Sequence, residues 1–232
     1  MKFEVTPIAF VQSCYKEKFA TPRQPGLVNA ATGVITLVPP FNDPDSVAGL
    51  EECSHVWLHF MFHQCLDQGW KAKVRPPRLG GNKKMGVFAT RATHRPNAMG
   101  MSVVKLDRVE ISQGMVVLHV SGLDLIDGTP IIDIKPYIPY SDSIADAVYP
   151  FAQTAPKSLP VIFSNNAAQA LANNKPLQTL ITQVLSQDPK PAFHKIDNTR
   201  VYGANLENMN VTWVYDIKDN EEIIEVKAVE PA

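Results

Sequence analysis

The sequence predicts a mainly β protein, built from a compact β-barrel domain and a small α+β C-terminal domain. Its 232 residues include nineteen prolines and twelve glycines, which divide the first part of the chain into short segments rich in β-branched and aromatic residues. Short strands separated by turn residues are typical of barrels and sandwiches. After about Pro150 the composition changes and helical patterns begin. Hydrophobic residues make up 45% and charged residues 19% of the chain, which suits a globular protein with a sizeable core.

Seven segments of the first part are predicted as strands because apolar and β-branched residues dominate them. In chain order they are Ile8–Val11, Gly33–Val38, His55–Phe62, Gly86–Thr90, Ser102–Ile111, Met115–Val120 and Pro130–Ile134. Gln113-Gly114 lies between the fifth and sixth of these, which predicts a hairpin turn. A single helix is predicted over Asp45–Glu52.

The second part of the chain predicts two helices and then a hairpin of two strands. These elements cover Ser164–Asn174, Leu177–Ser186, Asn210–Ile217 and Glu222–Val229. Lys175-Pro176 separates the helices, and a proline is well suited to the first turn of the second one. We therefore expect a boundary between residues 141 and 158, with one domain over 1–145 and another over 158–232.

The cysteines and the apolar runs predict a cytoplasmic protein that is not inserted in a membrane. The three cysteines are odd in number and form no CxxC pair, which favours a reducing compartment. The N-terminus shows no basic segment followed by an apolar one, so no secretory signal is expected. No apolar run approaches the roughly 18 residues that a membrane-spanning helix requires.

Three histidines, His55, His59 and His63, are spaced four residues apart and raise the question of a metal site. On a helix they would share one face and could bind zinc. Their surroundings are aromatic and β-prone, and on a strand neighbouring histidines would be about 13 Å apart. We expect no metal, with these side chains packing on or capping the strand and His63-Gln64 ending it at the mouth of a pocket.

Charge is distributed unevenly, although the formal net charge is only −1. From Gln68 to Leu106 there is no acidic residue, whereas the segment from Asp216 to Glu230 is mainly acidic. The basic residues of the first segment are Lys71, Lys73, Arg75, Arg78, Lys83, Lys84, Arg91, Arg95 and Lys105. Such a segment indicates an anionic partner, with nucleic acid the first candidate. The alternative is a solvated face whose charge is balanced by other parts of the fold.

Polar loops between the predicted strands have the composition of a binding site. They contain the segments Arg23–Leu27, Arg91–Asn97 and Asp127–Pro130. Asp127-Gly128 is a turn that exposes backbone amides, although a plain hairpin turn would have the same sequence. Asp133 and Lys135 share one face of their strand and could pair. No dinucleotide-binding glycine motif, P-loop or hydrolase elbow is present, so a nucleotide-like cofactor would require another architecture.

Taken in order, these segments resemble the TsaA-like, TrmO-type family of tRNA methyltransferases. The resemblance rests on Lys16–Phe19, Pro22–Leu27, Phe62–Gln64, Val74–Gly81, Met85–Arg91, Arg95–Asn97, Asp127–Tyr137 and Gln187–Phe193. It implies a β-barrel that binds S-adenosylmethionine without a Rossmann domain, often as a homodimer. It also implies methylation of N6 of threonylcarbamoyladenosine at position 37, in the anticodon loop of a tRNA. Ala98, Lys190 and Phe193 stand where the family pattern often has Pro, Arg and Tyr.

The resemblance further implies the residues of each site. Those expected to bind the cofactor are Arg23, Gln24, Pro25, Gly26, Leu27, His63, Gln64, Arg91, Met101, Asp127, Gly128, Thr129 and Pro130. Those expected to act in catalysis are Arg91, Asp133 and His63. The proton acceptor is expected to be Asp133, His63 or Asp127, or else the nucleotide's own carboxylate or water. Those expected to contact RNA are Lys71, Lys73, Arg75, Arg78, Lys83, Lys84, Arg95, Tyr137 and Lys190, and Phe88 and Tyr137 are candidate stacking platforms. A non-catalytic barrel that binds RNA or senses S-adenosylmethionine is the main alternative, and a metal-dependent hydrolase is a weaker one.

Overall fold

A closed antiparallel barrel of six strands forms the first part of the protein. The structure, a computed structural model, describes residues 3–80, 83–191 and 193–232. The barrel strands are β1 (Ala9–Ser13), β2 (Thr32–Leu37), β3 (His55–Met61), β6 (Met99–Ser112), β7 (Met115–Ser121) and β8 (Pro130–Pro136). They follow one another around the barrel in the order β1-β2-β7-β6-β3-β8. A separate ribbon pairs β4 (Lys73–Val74) with β5 (Met85–Gly86).

The barrel interior is filled by the apolar residues that alternate along its strands. Ile35, Leu58, Leu118 and Ile131 are completely buried. The residues next to them in the sequence are only partly buried. This alternation is the period-two pattern of a sheet with one buried face. It is the reason that the barrel strands could be predicted from the sequence.

The second part forms a four-stranded sheet with two helices. Its elements after the short α1 (Pro139–Asp142) are β9 (Val161–Phe163), α2 (Asn165–Ala170), α3 (Lys175–Ser186), β10 (Tyr202–Leu206), β11 (Met209–Lys218) and β12 (Glu221–Pro231). The sheet order is β10-β11-β12-β9. Ser164 and Asn174 cap the N-termini of α2 and α3 through their side chains. The predicted helices and the β11–β12 hairpin are confirmed, as is the mainly β fold class.

Two local predictions are wrong. The helix predicted over Asp45–Glu52 is a pair of 3-10 turns, Pro44–Val47 and Leu50–Glu52. Gly49 separates the turns with a φ of +83°, a conformation that a continuing right-handed helix cannot contain. The strand predicted over Gly86–Thr90 ends at Gly86, and Val87–Ala89 turns into a 3-10 helix.

The C-terminal sheet packs directly on the loop that follows β1. The ring of Phe19 stacks on Trp213 with centroids 5.8 Å apart and an interplanar angle of 5°. The backbone amide of Glu207 donates to the carbonyl of Cys14 at 2.8 Å, and that of Asn205 donates to Glu17 Oε1 at 2.9 Å. One continuous hydrophobic cluster joins the barrel and the sheet. The second part therefore holds in place a loop that leads to the predicted binding residues.

Candidate active site

Three connections leave the barrel at the same end, which we call the loop end. They are residues 14–31 between β1 and β2, residues 62–98 between β3 and β6, and residues 122–129 between β7 and β8. The strand pairings place Ser13 opposite Gly33 and Met61 opposite Met99 at this end. All the residues expected to bind a cofactor lie in these connections or in the first residues of the strands that follow them. Topology alone thus gathers residues that are a hundred positions apart in the sequence.

The turn at Asp127-Gly128 is fastened to β1. Gly128 has a φ of +75°, and its amide donates to the carbonyl of Val11 at 2.8 Å. The amide of Ser13 donates to Asp127 Oδ1 at 2.7 Å, while Lys16 Nζ lies 3.1 Å from Asp127 Oδ2. Both carboxylate oxygens of Asp127 therefore hold the turn against β1. Thr129 is buried beside it, and Pro130 begins β8.

The loop containing Arg23, Gln24, Pro25, Gly26 and Leu27 contacts both other connections. The amide of Gly26 donates to the carbonyl of Gly122 at 2.8 Å. Both glycines have positive φ, and a Cβ at Gly122 would lie 3.6 Å from the Cα of Gly26. Arg91 Nη1 donates to Gln24 Oε1 at 2.5 Å. These contacts join the three connections into one constellation around Arg91.

The loop that carries Arg91 is held together by Arg95. Arg95 Nη1 donates to the carbonyls of Thr90 at 2.8 Å and Val87 at 3.3 Å. The same guanidinium lies over the exposed ring of Phe88, 5.9 Å from its centroid. Arg95 is therefore committed to its own loop, and Arg91 is left at the exposed surface with Gln24 as its hydrogen-bond partner.

His63 and Gln64 begin a 3-10 helix, His63–Gln68, at the end of β3. The amide of Phe62 donates to the carbonyl of Ala98 at 2.7 Å, which ties this helix to the start of β6. Met101 is the third residue of β6, close in sequence to Ala98, and its side chain is 52% exposed. The predicted placement of His63-Gln64 at the end of a strand is confirmed.

Asp133 lies on the outer face of β8, beyond a bulge between β8 and β3. Its carboxylate pairs with Lys135 and accepts the amide of Ile134 at 3.0 Å. The pairing that strand parity indicated is thus present. The carboxylate of Asp133 is thus bound to Lys135 and to the backbone of its own strand.

Asp124, which the sequence analysis did not select, lies in the connection between β7 and β8. Its Oδ1 is buried and has no hydrogen-bond partner, while the carboxylate also interacts with the hydroxyl of Ser102. Burial raises the pKa of Asp124 to about 6, and the Ser102 hydroxyl and the charge of Arg91 lower it in part. The available sequence signal was an aspartate placed between two leucines, Leu123 and Leu125, both of which are buried.

The predicted RNA contacts fall into two groups. Most of them are exposed on the connection between β3 and β6, namely Lys71, Lys73, Arg75, Lys83 and Lys84. Arg78 lies in the 3-10 helix Pro77–Leu79, and its side chain is outside the described part of the chain. Tyr137 and Lys190 do not join this group. Tyr137 packs on Trp57 and His55 at the opposite end of the barrel, with centroids 5.9 and 6.4 Å away.

Lys190 is a correction to the expected RNA surface, because its side chain is buried. The residue is 7% exposed, and its ammonium lies 2.9 Å from both oxygens of Asp188 and 4.6 Å from the ring centroid of Tyr215. It stabilises the C-terminal sheet in this conformation and offers no free charge to a phosphate.

Within residues 3–80, 83–191 and 193–232, no group of three or more His, Cys, Asp or Glu side chains has the arrangement of a metal site. His55 and His59 lie on β3, as predicted, and His55 Nδ1 is 2.9 Å from the hydroxyl of Ser54. Among these same residues, no helix is long and apolar enough to span a membrane.

The comparisons with known proteins cover the whole length of this fold. The family model of the tRNA-methyltransferase O N-terminal domain matches residues 10–143, and that of the TrmO C-terminal domain matches residues 156–232. The tRNA (adenine(37)-N6)-methyltransferase of Escherichia coli K12 is 46% identical over 235 residues, covering 99% of this chain and 98% of that protein. A Pseudomonas aeruginosa protein that is 47% identical over 231 residues bears a provisional name as an S-adenosylmethionine-dependent methyltransferase, RcsF.

Solved structures agree with the sequence comparisons. A crystal structure of TrmO from P. aeruginosa has a TM-score of 0.79 and 41% identity, covering all of this chain and 98% of that one. Another crystal structure of TrmO has a TM-score of 0.78 and 43% identity, with 99% of this chain and 100% of the other covered. The chain therefore belongs to the TrmO family of tRNA methyltransferases.

Proposed function

We propose that this protein is an S-adenosylmethionine-dependent tRNA methyltransferase that methylates N6 of threonylcarbamoyladenosine at position 37. The full-length similarity to a tRNA (adenine(37)-N6)-methyltransferase supports the reaction. The structural observation that carries the proposal is the convergence of three connections around Arg91 at the loop end. This convergence supports a nucleoside-cofactor site at the loop end, although the dinucleotide and P-loop motifs are absent from the sequence.

The residues at the loop end fit S-adenosylmethionine. The guanidinium of Arg91 can bind the carboxylate of the cofactor through two parallel hydrogen bonds, the geometry that arginine–carboxylate pairs favour. The buried Oδ1 of Asp124, in the connection between β7 and β8, has no hydrogen-bond partner in the structure, which supports a polar ligand close to this connection. The Arg23–Leu27 loop, His63-Gln64 and the Asp127–Pro130 turn are the remaining walls. S-adenosylmethionine, when bound, supplies a methyl group that its positively charged sulfur has already activated.

The chain's own contribution is alignment and proton acceptance. Transfer of a methyl group from a sulfonium requires an in-line approach, and holding the reactants in place supplies much of the acceleration. The nucleophilic N6 must also lose a proton. Of the three alternative acceptors, Asp127 is bound to Ser13 and Lys16, and Asp133 is bound to Lys135 and Ile134. We therefore assign proton acceptance to His63, whose ring faces no such competition among the described contacts.

The decisive test measures the product. We expect purified protein with S-adenosylmethionine to form N6-methylated threonylcarbamoyladenosine in tRNA that carries the modified base, detected by mass spectrometry of nucleosides. Cells lacking the protein should lose the methylated nucleoside. Normal levels in those cells, together with no product from the purified protein, would refute the proposal. Calorimetry separates the RNA-binding alternative, because such a barrel would bind tRNA and give no heat with S-adenosylmethionine. A barrel that only senses S-adenosylmethionine would give heat but no methylated nucleoside.

The acid-free connection between β3 and β6 is proposed as the tRNA-binding surface. Its exposed lysines and arginine supply positive charge, and nucleic-acid binding by such groups depends strongly on salt. Phe88 is 75% exposed within this surface and is supported from one side by the Arg95 guanidinium. An exposed ring beside cationic groups can stack on an unpaired base, and position 37 lies in a single-stranded loop. Phe88 is thus a better platform than Tyr137, which packs on its neighbours.

Charge removal at Lys83 and Lys84 provides a direct test of this surface. The variant with both lysines changed to Gln should bind tRNA several-fold more weakly, because two phosphate contacts are lost. The slope of log affinity against log salt should fall by roughly 1.4, at about 0.7 for each single-strand phosphate contact. The matched control changes Lys157 and Lys218, both exposed outside this surface, to Gln. An equal change of slope in the control would place the binding surface elsewhere.

We further propose a cytoplasmic homodimer with domain limits of 1–145 and 158–232. The free cysteines suit a reducing compartment, and the two family models match residues 10–143 and 156–232. Met99 and Met101 expose 41% and 52% of their surface on the outside of β6, which supports an interface beside the site. Sedimentation equilibrium that yields a monomer at working concentrations would contradict the dimer.

A further inference from the structure

The segment between the two proposed domains lies against the acid-free connection between β3 and β6. The hydroxyl of Tyr149 donates a hydrogen bond to the carbonyl of Ala89 at 2.8 Å, across 60 positions of sequence. Two residues later, the ring of Phe151 lies 5.2 Å from the ammonium of Lys83, measured to the ring centroid. Two neighbouring aromatic side chains of this segment therefore contact the surface proposed to bind tRNA.

A tight turn over residues 149–153, which we call the linker turn, orients these side chains. The amide of Ala152 donates to the carbonyl of Tyr149 at 2.9 Å. Pro150 occupies the second position of the turn, which its fixed φ favours. The rings of Tyr149 and Phe151 pack edge to face, with centroids 5.7 Å apart. The sequence of the linker turn thus sets the direction from which the Tyr149 hydroxyl reaches the connection.

The carbonyl that accepts this hydrogen bond ends the 3-10 turn that carries Phe88. The last carbonyls of a helical turn have no partner within it and need one from outside. Arg95 binds two carbonyls of this segment, and the Tyr149 hydroxyl binds a third, that of Ala89. The backbone around Phe88 is therefore held by side chains from two other parts of the chain.

Phe88 combines this restrained backbone with a ring that is 75% exposed. A binding group whose backbone is already fixed loses less conformational freedom when a ligand arrives. Its geometry is also more precise when packing and hydrogen bonds behind it are complete. These are the properties that a stacking platform for an unpaired base requires. Tyr149 contributes to them without belonging to the basic surface itself.

We propose that Tyr149 is a positioning residue, which holds the 3-10 turn of Phe88 in the orientation in which the Phe88 ring stacks on an unpaired base of tRNA. The inference rests on the proposed function for the identity of the RNA. It assigns to Tyr149 no contact with the RNA or with the methyl donor. It gives the segment between the domains a part in forming the tRNA-binding surface.

Hydrogen exchange tests the support itself. The amide of Thr90 donates to the carbonyl of Val87 at 3.1 Å and closes the 3-10 turn. Tyr149→Phe removes only the hydroxyl, so this amide should exchange several-fold faster in the variant, because the turn opens more often. Tyr140→Phe is the matched control, since the Tyr140 side chain lies in α1 and is 91% exposed. Equal exchange of the Thr90 amide in the two variants would overturn the proposal.

Binding of tRNA tests the consequence of this support. Tyr149→Phe should weaken binding about two- to tenfold, the factor that corresponds to the net contribution of one neutral hydrogen bond. The slope of log affinity against log salt should keep its wild-type value, because a stacked ring neutralises no phosphate. Affinity equal to that of Tyr140→Phe would contradict the proposal. A lower slope would contradict it too, because the hydroxyl would then support the cationic groups rather than the ring.

A double-mutant cycle separates positioning from direct contact with the RNA. Phe88→Ala removes the ring that Tyr149 is proposed to position, so Tyr149→Phe should cause no further loss of tRNA affinity in that background. Additive losses would show that the hydroxyl acts independently of Phe88 and would overturn the proposal. The cycle is read from binding alone. Wild-type protein that binds tRNA without methylating it would therefore refute the proposed function and not this inference.

Discussion

Arg91→Ala is expected to reduce kcat/KM for modified tRNA by about a hundredfold, with little change in the melting temperature. Arg91 is exposed and its side chain bonds to Gln24, so its removal takes away no packed contact of the core. A hydrogen bond to a charged group contributes roughly 1.5–3 kcal/mol, which corresponds to about 10- to 150-fold in affinity or rate. The loss belongs to the site, whereas the fold should be retained.

Arg91→Lys is the more discriminating variant, and we expect it to recover little of the lost activity. Lysine retains the positive charge but not the planar fork that binds a carboxylate through two parallel hydrogen bonds. Arg108→Ala is the control, because Arg108 pairs with Glu110 on the outer surface of the barrel. Steady-state kinetics and thermal unfolding check the three variants. Unfolding of Arg91→Ala at room temperature, or full activity of Arg91→Lys, would show that the guanidinium has a different role.

Elements determined by residues close together in the sequence were predicted correctly, whereas elements shaped by side chains from farther along the chain were not. The β6–β7 hairpin was predictable because alternation and the Gln113-Gly114 turn are local, and both turn residues have the positive φ that a tight hairpin requires. The segment after Gly86 has the same β-prone composition and yet forms a 3-10 turn. There the side chain of Arg95 binds the carbonyls of Val87 and Thr90, which curls the backbone.

The sequence could predict which loops form the candidate site. It could not predict which hydrogen bonds and ion pairs the side chains of those loops make. Resemblance selected Gln24, Arg91 and Asp127, and the topology places all three at the loop end. Nothing local to the sequence indicates that both oxygens of Asp127 are used to hold its turn, or that Asp124 is buried. Burial and pairing depend on residues far away in the chain. For the same reason the sequence predicts Lys190 as a phosphate ligand, whereas in the structure Asp188 and Tyr215 enclose its ammonium.

The C-terminal sheet also affects the site at long range. Its contact with Phe19 and Glu17 fixes the connection between β1 and β2, which later presents Gln24 to Arg91. A site of this kind depends on how accurately its supporting elements are placed. The C-terminal sheet thus supports the connection between β1 and β2, which contains residues expected to bind the cofactor.

Gly100→Ala is expected to be the most destabilising small substitution at the loop end. Gly100 lies opposite Phe60 in the β3–β6 register, and the ring of Phe60 covers it. A Cβ at this position would lie 2.5 Å from two atoms of the Phe60 ring and 2.8 Å from the Phe62 ring. The two rings pack edge to face with centroids 5.2 Å apart, so neither can move without displacing the other. Overpacking of this kind costs about 1–3 kcal/mol of unfolding free energy.

The loss from Gly100→Ala should extend to activity, because the displaced rings adjoin His63. Relief of the overlap moves Phe62, whose amide bonds to Ala98 and whose successor begins the 3-10 helix of His63-Gln64. We expect a decrease in melting temperature of roughly 2–12 °C, at about 2–4 °C for each of the roughly 1–3 kcal/mol lost in a chain of this size. The KM for S-adenosylmethionine should rise as well. Gly86→Ala is the matched control, because a Cβ there meets no atom within 4 Å. Equal stability of the two variants would mean that the rings yield easily and that the start of β6 does not position the loops expected to bind the cofactor.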